Sequence, residues 1–274
     1  MFFFDTFDER ILIMNKLTYS LILAALAGLS TVSAIAADAP AAPTPEHTLT
    51  GNVGLFSQYI YRGLTQTNEK AALQGGFDYA HSSGLYAGVW GSNISWIGDL
   101  VPGSSSSLEL DTYFGYKNSF AEDFSYDVGF LRYNYPGSFP ASMTTKADTN
   151  ELYGQLGYKW FTAKYSHSIS DTFGTPNSKN TNYLDLSANF EVADKLTLGL
   201  HVGKQTFKGD NAGVSNDSLY TYTDYKASLT KDINGYMVGA AYFHTNAKDA
   251  GYFNAATNKN VGRDHFVVSV SKSF

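Results

Sequence analysis

Apolar and polar residues alternate along most of this sequence, from about His47 to the C-terminus. In the segment 195–204, KLTLGLHVGK, every second residue is aliphatic and the residues between them are polar or glycine. A period of two is typical of a β-strand whose two faces meet different surroundings. No sustained 3.6-residue apolar period occurs in this region, so the pattern indicates an all-β fold.

About twelve alternating segments follow one another. They lie near residues 48–63, 71–80, 84–95, 107–117, 123–134, 150–158, 160–169, 182–191, 195–205, 219–230, 235–245 and 262–274. Short separators such as AHSSG and VADK alternate with long ones such as WIGDLVPGSSSS. Short turns at one end and long loops at the other are typical of outer-membrane barrels. The pattern therefore predicts a transmembrane antiparallel up-and-down β-barrel with short periplasmic turns and long extracellular loops.

The chain length favours about twelve strands. Residues 47–274 comprise 228 positions, or 19 for each strand with its connection, and a spanning strand takes roughly 9–11 residues. Ten or fourteen strands would also fit if one segment were merged or split. Barrels of eight strands are filled by side chains and those of sixteen to eighteen leave an open channel. We therefore expect a narrow passage, constricted by the long loop 135–149.

The composition agrees with a membrane protein outside the cytoplasm. Charged residues make up 16 % of the chain, against about a quarter in soluble domains. The net charge of −6 argues against a nucleic-acid partner. No cysteine is present, which excludes disulfides and thiolate metal sites.

The N-terminal region predicts export. From Met14 the chain has one lysine, an apolar run and small residues ending near Ala36, as in a secretory signal peptide. We interpret residues 1–36 as an extension and cleaved signal peptide whose true start is Met14, residues 37–47 as a flexible Pro/Ala linker, and residues 48–274 as the barrel. The predicted location is the outer membrane of a Gram-negative bacterium.

Aromatic residues near the segment ends are expected to form girdles at the two membrane interfaces. The expected girdle residues are Tyr59, Tyr61, Tyr133, Tyr135, Tyr158 and Trp160. Phe274 ends the last alternating segment and resembles the terminal sorting signal of outer-membrane barrels. We therefore expect membrane lipid and the barrel-assembly machinery as partners, and leave the oligomeric state open.

The opposite face of the strands carries charged residues that would point into the lumen. The predicted pore-lining residues are Arg62, Asp78, Glu109, Asp111, Asp127, Glu151, Lys164, Asp185, Asp224 and Lys226. The same alternation places Lys117 and Lys159 inside. Such a mixed interior fits two compatible interpretations: a salt-bridge network that fills a narrow barrel, and a polar wall that sets ion preference.

Several segments resemble the TorF-type porin family of proteobacteria. The resemblance starts at Tyr59, Arg62, Gly63, Gln66 and Thr67, in the pattern Y-x-x-R-G-x-x-Q-T, and continues through LQGGFDYAHSSGLYAGVWGSN, LELDTYFGY, YDVGFLRYNYPG, NELYGQLGYKW, DYKASLT and VVSVSKSF. It covers residues 49–274. The resemblance implies an outer-membrane barrel with porin activity, and it implies no catalytic residues.

Catalytic and metal motifs are weak in this sequence. Ser166, His167 and Ser168 are neighbours, but successive residues of a strand point to opposite faces and cannot pair as nucleophile and base. The acidic loops lack the spacing of a calcium-binding loop. We therefore predict a porin-like channel for passive diffusion of ions or small polar solutes, with no enzyme activity, cofactor or metal. The alternatives are a lipase- or protease-type barrel enzyme, which would need a serine or acid beside a histidine across strands, and a closed structural or adhesion barrel.

Overall fold

The computed structural model describes residues 45–141 and 143–274. The predicted signal peptide and nearly all of the predicted linker lie outside the described residues. Twelve strands form one closed antiparallel barrel in which sequence neighbours pair and the first strand meets the last. The strands are β1 His47–Phe56, β2 Ala72–His81, β3 Leu85–Asn93, β4 Leu108–Phe120, β5 Phe124–Asn134, β6 Thr149–Tyr158, β7 Phe161–Ser168, β8 Asn182–Ala193, β9 Leu196–Thr206, β10 Tyr222–Ile233, β11 Tyr236–Thr245 and β12 His265–Ser273. The predicted fold class is confirmed.

The connections alternate in length as the sequence predicts. Turns of two or three residues join strands at the end that carries both β1's start and β12's end. Loops at the other end are L1 (57–71), L2 (94–107), L3 (135–148), L4 (169–181), L5 (207–221) and L6 (246–264). The barrel closes where β1 pairs with β12, with Val53 opposite Lys272. Closure pairs the strand edges, which is the condition for crossing a bilayer with strands.

Short elements occupy the loops. L2, L5 and L6 each hold one helical turn: α1 Trp96–Leu100, α2 Asn216–Tyr220 and α3 Asp249–Tyr252. Two-residue hairpins pair Ile60–Tyr61 with Leu64–Thr65, Asp210–Asn211 with Val214–Ser215, and Phe253–Asn254 with Lys259–Asn260. Within the two described stretches, no helix is long and apolar enough to cross a membrane.

The outer wall is a band of exposed apolar side chains. Leu49 and Phe266 are 72 % and 62 % exposed, and every strand contributes similar residues. In water such a surface would be strongly unfavourable, whereas lipid chains solvate it. Tyr158 and Trp160 are also exposed, at the turn end of the wall, where an interfacial girdle lies.

Four of the expected girdle residues lie inside the barrel instead, three of them buried. Tyr59 and Tyr133 are each 2 % exposed, and Tyr135 is 4 % exposed, while Tyr61 is half-buried beside Tyr133. The first strand ends at Phe56, not near residue 63. Alternation predicts facing only while a strand continues, so it fails for the chain reversal in L1 and for Tyr135 in L3. Tyr133 lies six residues after Asp127 on β5, so alternation puts it on the inward face, and its position near the strand end was misleading. The girdle assignment of these four tyrosines is therefore wrong.

Candidate functional site in the barrel interior

Loop L1 folds back into the barrel and carries a two-residue hairpin whose tip is Arg62 and Gly63. Both tip residues have positive φ angles, 45° and 79°. A Cβ on Gly63 would lie 2.6 Å from the Cβ of Asp224, so only glycine fits this close approach to β10. The Tyr222 hydroxyl donates to the Arg62 carbonyl at 2.8 Å and fastens the tip to the same strand.

The Arg62 side chain extends from the L1 tip beside β10 to residues of β9 and β6. It donates to both carboxylate oxygens of Glu151 on β6, at 2.8 and 3.1 Å, and to Gln205 on β9 at 2.8 Å. The two charged side chains are only 7 % and 2 % exposed, and the guanidinium lies 4.3 Å from the ring centroid of Tyr183. Burial opposes the charge of Arg62, but the attraction of Glu151 outweighs it and holds the arginine pKa well above its usual value. We call this bidentate pair the Arg62–Glu151 latch.

Aromatic side chains pack around the latch and fill the loop end of the lumen. The Tyr61 and Tyr133 hydroxyls are 2.6 Å apart, and Tyr59 packs edge-on against Trp90. The buried cluster comprises Tyr59, Ala72, Trp90, Ile94, Ile97, Leu131, Tyr133, Tyr135 and Ala147. Sequence analysis expected the loop 135–149 to constrict the passage, but L1 is the element that crosses it, and L3 supplies only flanking residues such as Tyr135.

Two acidic residues lie side by side beneath L1. Glu109 and Asp111 are each 1 % exposed and occupy alternate positions of β4. The Tyr59 hydroxyl donates to Glu109 at 2.8 Å, whereas Asp111 Oδ1 is buried without a hydrogen-bond partner in the described part of the chain. Among residues 45–141 and 143–274 neither carboxylate forms an ion pair with a basic group. Burial, and then the charge of Glu109, raises the pKa of Tyr59, so this phenol remains a donor.

A layer of tyrosines and carboxylates lines the wall nearer the turn end. The Tyr86 hydroxyl donates to Asp127 at 2.5 Å and contacts the Tyr153 hydroxyl, while Tyr113 donates to Asp78. The outer ends of these rings lie against glycines of neighbouring strands, where a Cβ would clash with them. These glycines are Gly88, Gly115 and Gly129. The absence of a side chain at each glycine leaves room for one tyrosine.

Lysines accompany this layer. The Lys164 ammonium lies 4.0 Å from the Tyr153 ring centroid, and Lys117 lies over Tyr86. Lys159, which alternation placed inside, lies instead in an exposed turn between β6 and β7, 3.6 Å from Asp123. Its predicted inward position is wrong because the strand has already ended at Tyr158.

A histidine joins two carboxylates on the opposite wall. His201 Nε2 lies 2.8 Å from Asp224, and Nδ1 lies 3.2 Å from Asp185. Ser187 lies 3.2 Å from His201 Nδ1, so the serine–histidine proximity that a barrel enzyme requires is present. However, the serine hydroxyl donates to Asp185 at 2.6 Å, and both ring nitrogens face carboxylates. A ring that donates from both nitrogens has no lone pair to accept a nucleophile's proton, so the arrangement is an ion-pair network.

Below L1 the lumen contains a small cavity of about 50 Å³. Gln58 of L1, Gln74 of β2 and Lys226 of β10 line it. Ser228, Thr230 and Ser269 supply hydroxyls, and Phe243 and Val267 supply apolar wall. The cavity therefore offers one cationic group and several neutral hydrogen-bonding groups, in a space that suits a few water molecules.

The structure gathers the predicted lumen residues into three groups. The strand members all lie on the inward face. They are Asp78, Asp127 and Lys164 in the tyrosine layer, Glu109, Asp111 and Glu151 under L1, and Asp185, Asp224 and Lys226 on the β8–β10 wall. Sequence reasoning missed Tyr86, Tyr113, Tyr153, Tyr183 and Gln205, although alternation puts each of them on the inward face.

Comparisons with known proteins give one family and several distant structures. Residues 40–274 match the family model described as "Bacterial protein of unknown function (Gcw_chp)". No curated protein matches the chain in sequence. Among solved structures, the KdgM porin in complex with disordered oligogalacturonate is 8 % identical, with a TM-score of 0.49 over 82 % of this chain and 98 % of that chain. The NanC porin is 11 % identical, with a TM-score of 0.49 over 83 % and 99 %. Pseudomonas aeruginosa OprD is 15 % identical, with a TM-score of 0.40 over 85 % and 68 %. These likenesses are too distant to transfer a substrate.

Proposed function

The chain belongs to the Gcw_chp family of bacterial proteins of unknown function, and we propose that it is an outer-membrane channel for passive diffusion of ions or small polar solutes. The finer family assignment, to the TorF-type porins, belongs to the same proposal. We place the barrel in the outer membrane of a Gram-negative bacterium, with L1 to L6 facing outward. Membrane lipid surrounds the apolar wall.

The observation that carries this proposal is the mixed charge of the inward face. A barrel that served only as an anchor could fill its interior with apolar side chains, which pack without the cost of burying charge. Here Lys164, Lys226, Asp127 and Asp185 remain on the inward wall, and Lys226 also lines the small cavity below L1. Rings of charged side chains are how pores set ion preference.

In this channel the passage is limited by L1. The Arg62–Glu151 latch holds the loop across the lumen, and the aromatic cluster seals the space around it. The described conformation therefore represents a constricted or closed channel, and permeation requires L1 to shift. The pore-lining roles of the predicted residues follow from this proposal.

Planar-bilayer recording of the refolded barrel tests the proposal. We expect stepwise conductance in the wild type or, if the latch closes the channel fully, in Arg62→Ala. In a salt gradient, Lys226→Met should then shift the reversal potential in the direction of greater cation selectivity, because it removes a positive group from the cavity wall. No conductance steps from either protein over many insertions would refute the channel.

A closed structural or adhesion barrel is the second candidate. The observation that favours it is the dense packing at the loop end, where Ile97 of L2 and Ala147 of L3 are fully buried in the same cluster as Tyr59 of L1. It predicts that freeing L1 leaves the barrel non-conducting. The same recordings with Arg62→Ala therefore separate the two functions.

The proposal also includes recognition of the C-terminal residue, Phe274, during assembly into the membrane. Phe274 extends the pairing of the last strand: its amide and carbonyl bond to Gly51 at 2.9 and 2.8 Å. Its ring is exposed and remains accessible to the barrel-assembly machinery. Removing it should reduce insertion in vivo more than refolding in detergent.

A further inference from the structure

Two histidines face each other at the turn end of the barrel, opposite to the loops. His47 begins β1 and His81 ends β2, and the two are direct partners in the antiparallel register. Their ring centroids are 5.1 Å apart. Directly opposed residues of an antiparallel pair have Cβ atoms about 4.5–5.5 Å apart, so the backbone itself brings the two imidazoles together.

Each ring is held by a neighbour at Nδ1. Tyr79 Oη lies 2.8 Å from His47 Nδ1, and with its proton on Nδ1 the His47 ring donates to this oxygen and presents the lone pair of Nε2. His81 Nδ1 lies 2.7 Å from Ser83 Oγ and accepts the Ser83 backbone N–H at 3.1 Å. Metal binding at His81 Nε2 would move the ring proton to Nδ1, so that Nδ1 donates to Ser83 Oγ and the bond from the Ser83 N–H is lost. Metal-binding histidines are oriented by such outer hydrogen bonds.

Glu46 adds a carboxylate to the pair. Its Oε1 lies 3.5 Å from His81 Nε2, and one ligand atom from each of Glu46, His47 and His81 lies within 4.8 Å of the others. Metal–ligand bonds of about 2.0–2.1 Å in a tetrahedral zinc site set ligand atoms roughly 3.4 Å apart. The carboxylate–imidazole separation already has this value, and small side-chain rotations would bring His47 to it.

We propose that Glu46, His47 and His81 bind a divalent transition metal ion, Zn²⁺ being the reference case, at the periplasmic rim. Imidazole nitrogen is suited to Zn²⁺, Cu²⁺ and Ni²⁺, whereas Mg²⁺ and Ca²⁺ prefer oxygen ligands. Glu46 and His47 are exposed, which leaves a fourth position for water or an external ligand. A bound ion would tie the segment before β1 to the end of β2.

Titration calorimetry of the refolded, tag-free barrel with Zn²⁺ tests the site. We expect one ion per barrel, with affinity reduced at least tenfold in His81→Ala and in His47→Ala. His244→Ala is the matched control, since His244 is also exposed and contacts a carboxylate, Asp264, at 2.6 Å, but belongs to no three-ligand cluster among the described residues. The affinity for Zn²⁺ should also decrease as the pH is lowered, because protons compete for the imidazole nitrogens.

Electron paramagnetic resonance of the Cu²⁺ form supplies a second, structural measurement. Hyperfine coupling to two nitrogens is expected in the wild type and to one in His81→Ala. Binding that is absent, non-saturable or lost equally in His244→Ala would overturn the proposal and leave Glu46 and His81 as a simple ion pair. Neither measurement depends on conductance, so failure of the metal site leaves the channel proposal untouched, and the reverse also holds.

Discussion

Replacing Arg62 by alanine should release L1 from the lumen. The substitution removes both hydrogen bonds to Glu151, the bond to Gln205 and the contact with the Tyr183 ring. It also leaves the Glu151 carboxylate, 2 % exposed, without its cation. Of these losses the stranded charge is the largest, because a buried carboxylate has little water to replace the arginine.

The expected magnitude follows from the burial of both partners. Removing one member of a buried ion pair costs about 3–5 kcal/mol. If L1 opens as a unit, this changes its open-to-closed ratio by roughly two to four orders of magnitude, at about 1.4 kcal/mol per tenfold. The barrel itself should persist, since its strand ladder is independent of L1.

Hydrogen exchange of the backbone amides in residues 57–71 measures this ratio directly. Exchange should accelerate by at least a hundredfold in Arg62→Ala, while amides of β4 to β8 keep their protection. Arg132→Ala is the control: Arg132 pairs with Asp148 at 3.4 Å with side chains 41 % and 29 % exposed, and such pairs contribute about 0–1 kcal/mol. The double variant Arg62→Ala with Glu151→Gln no longer has an unpaired Glu151 carboxylate. Its L1 amides should therefore exchange at least tenfold more slowly than those of Arg62→Ala alone.

Two results would refute this reasoning. One is an L1 exchange rate in Arg62→Ala no faster than in Arg132→Ala. The other is strict additivity of Arg62→Ala and Glu151→Gln, because partners in a buried pair must show a coupling energy. Either result would mean that the aromatic cluster alone holds L1 in place.

Three further changes test other parts of the interior. Gly63→Ala should destabilise L1 by about 1–2 kcal/mol from the left-handed backbone alone, with an added clash against Asp224, and faster proteolysis within L1 would report it. Asp111→Asn should leave the melting temperature unchanged or raise it, because it removes a buried charge whose Oδ1 has no partner; a fall of several degrees would show that Asp111 is paired after all. Ser187→Ala should leave any hydrolysis of ester substrates at background, and a loss of measurable hydrolysis would restore the enzyme alternative.

Alternation in the sequence determined the wall of this protein. A strand between lipid and a polar lumen must alternate, because lipid chains accept only apolar groups and the interior accommodates charges. That requirement acts locally and repeats along the chain, so about twelve strands, alternating short and long connections and the inward face of Glu109, Asp111 and Glu151 could all be predicted without coordinates.

Only the tertiary structure decided what occupies the lumen. L1 begins after β1 ends at Phe56 and reverses direction at Arg62 and Gly63. The hydrogen-bond partners of Arg62, Glu151 and Gln205, lie 89 and 143 positions further along the chain. No local pattern encodes such distant pairings. Residue type alone does not separate the buried tyrosines beside L1 from girdle tyrosines, because a phenol is suited equally to a headgroup interface and to a buried carboxylate. Their place is set by which groups the folded barrel brings within hydrogen-bond distance, and that depends on closure of the sheet.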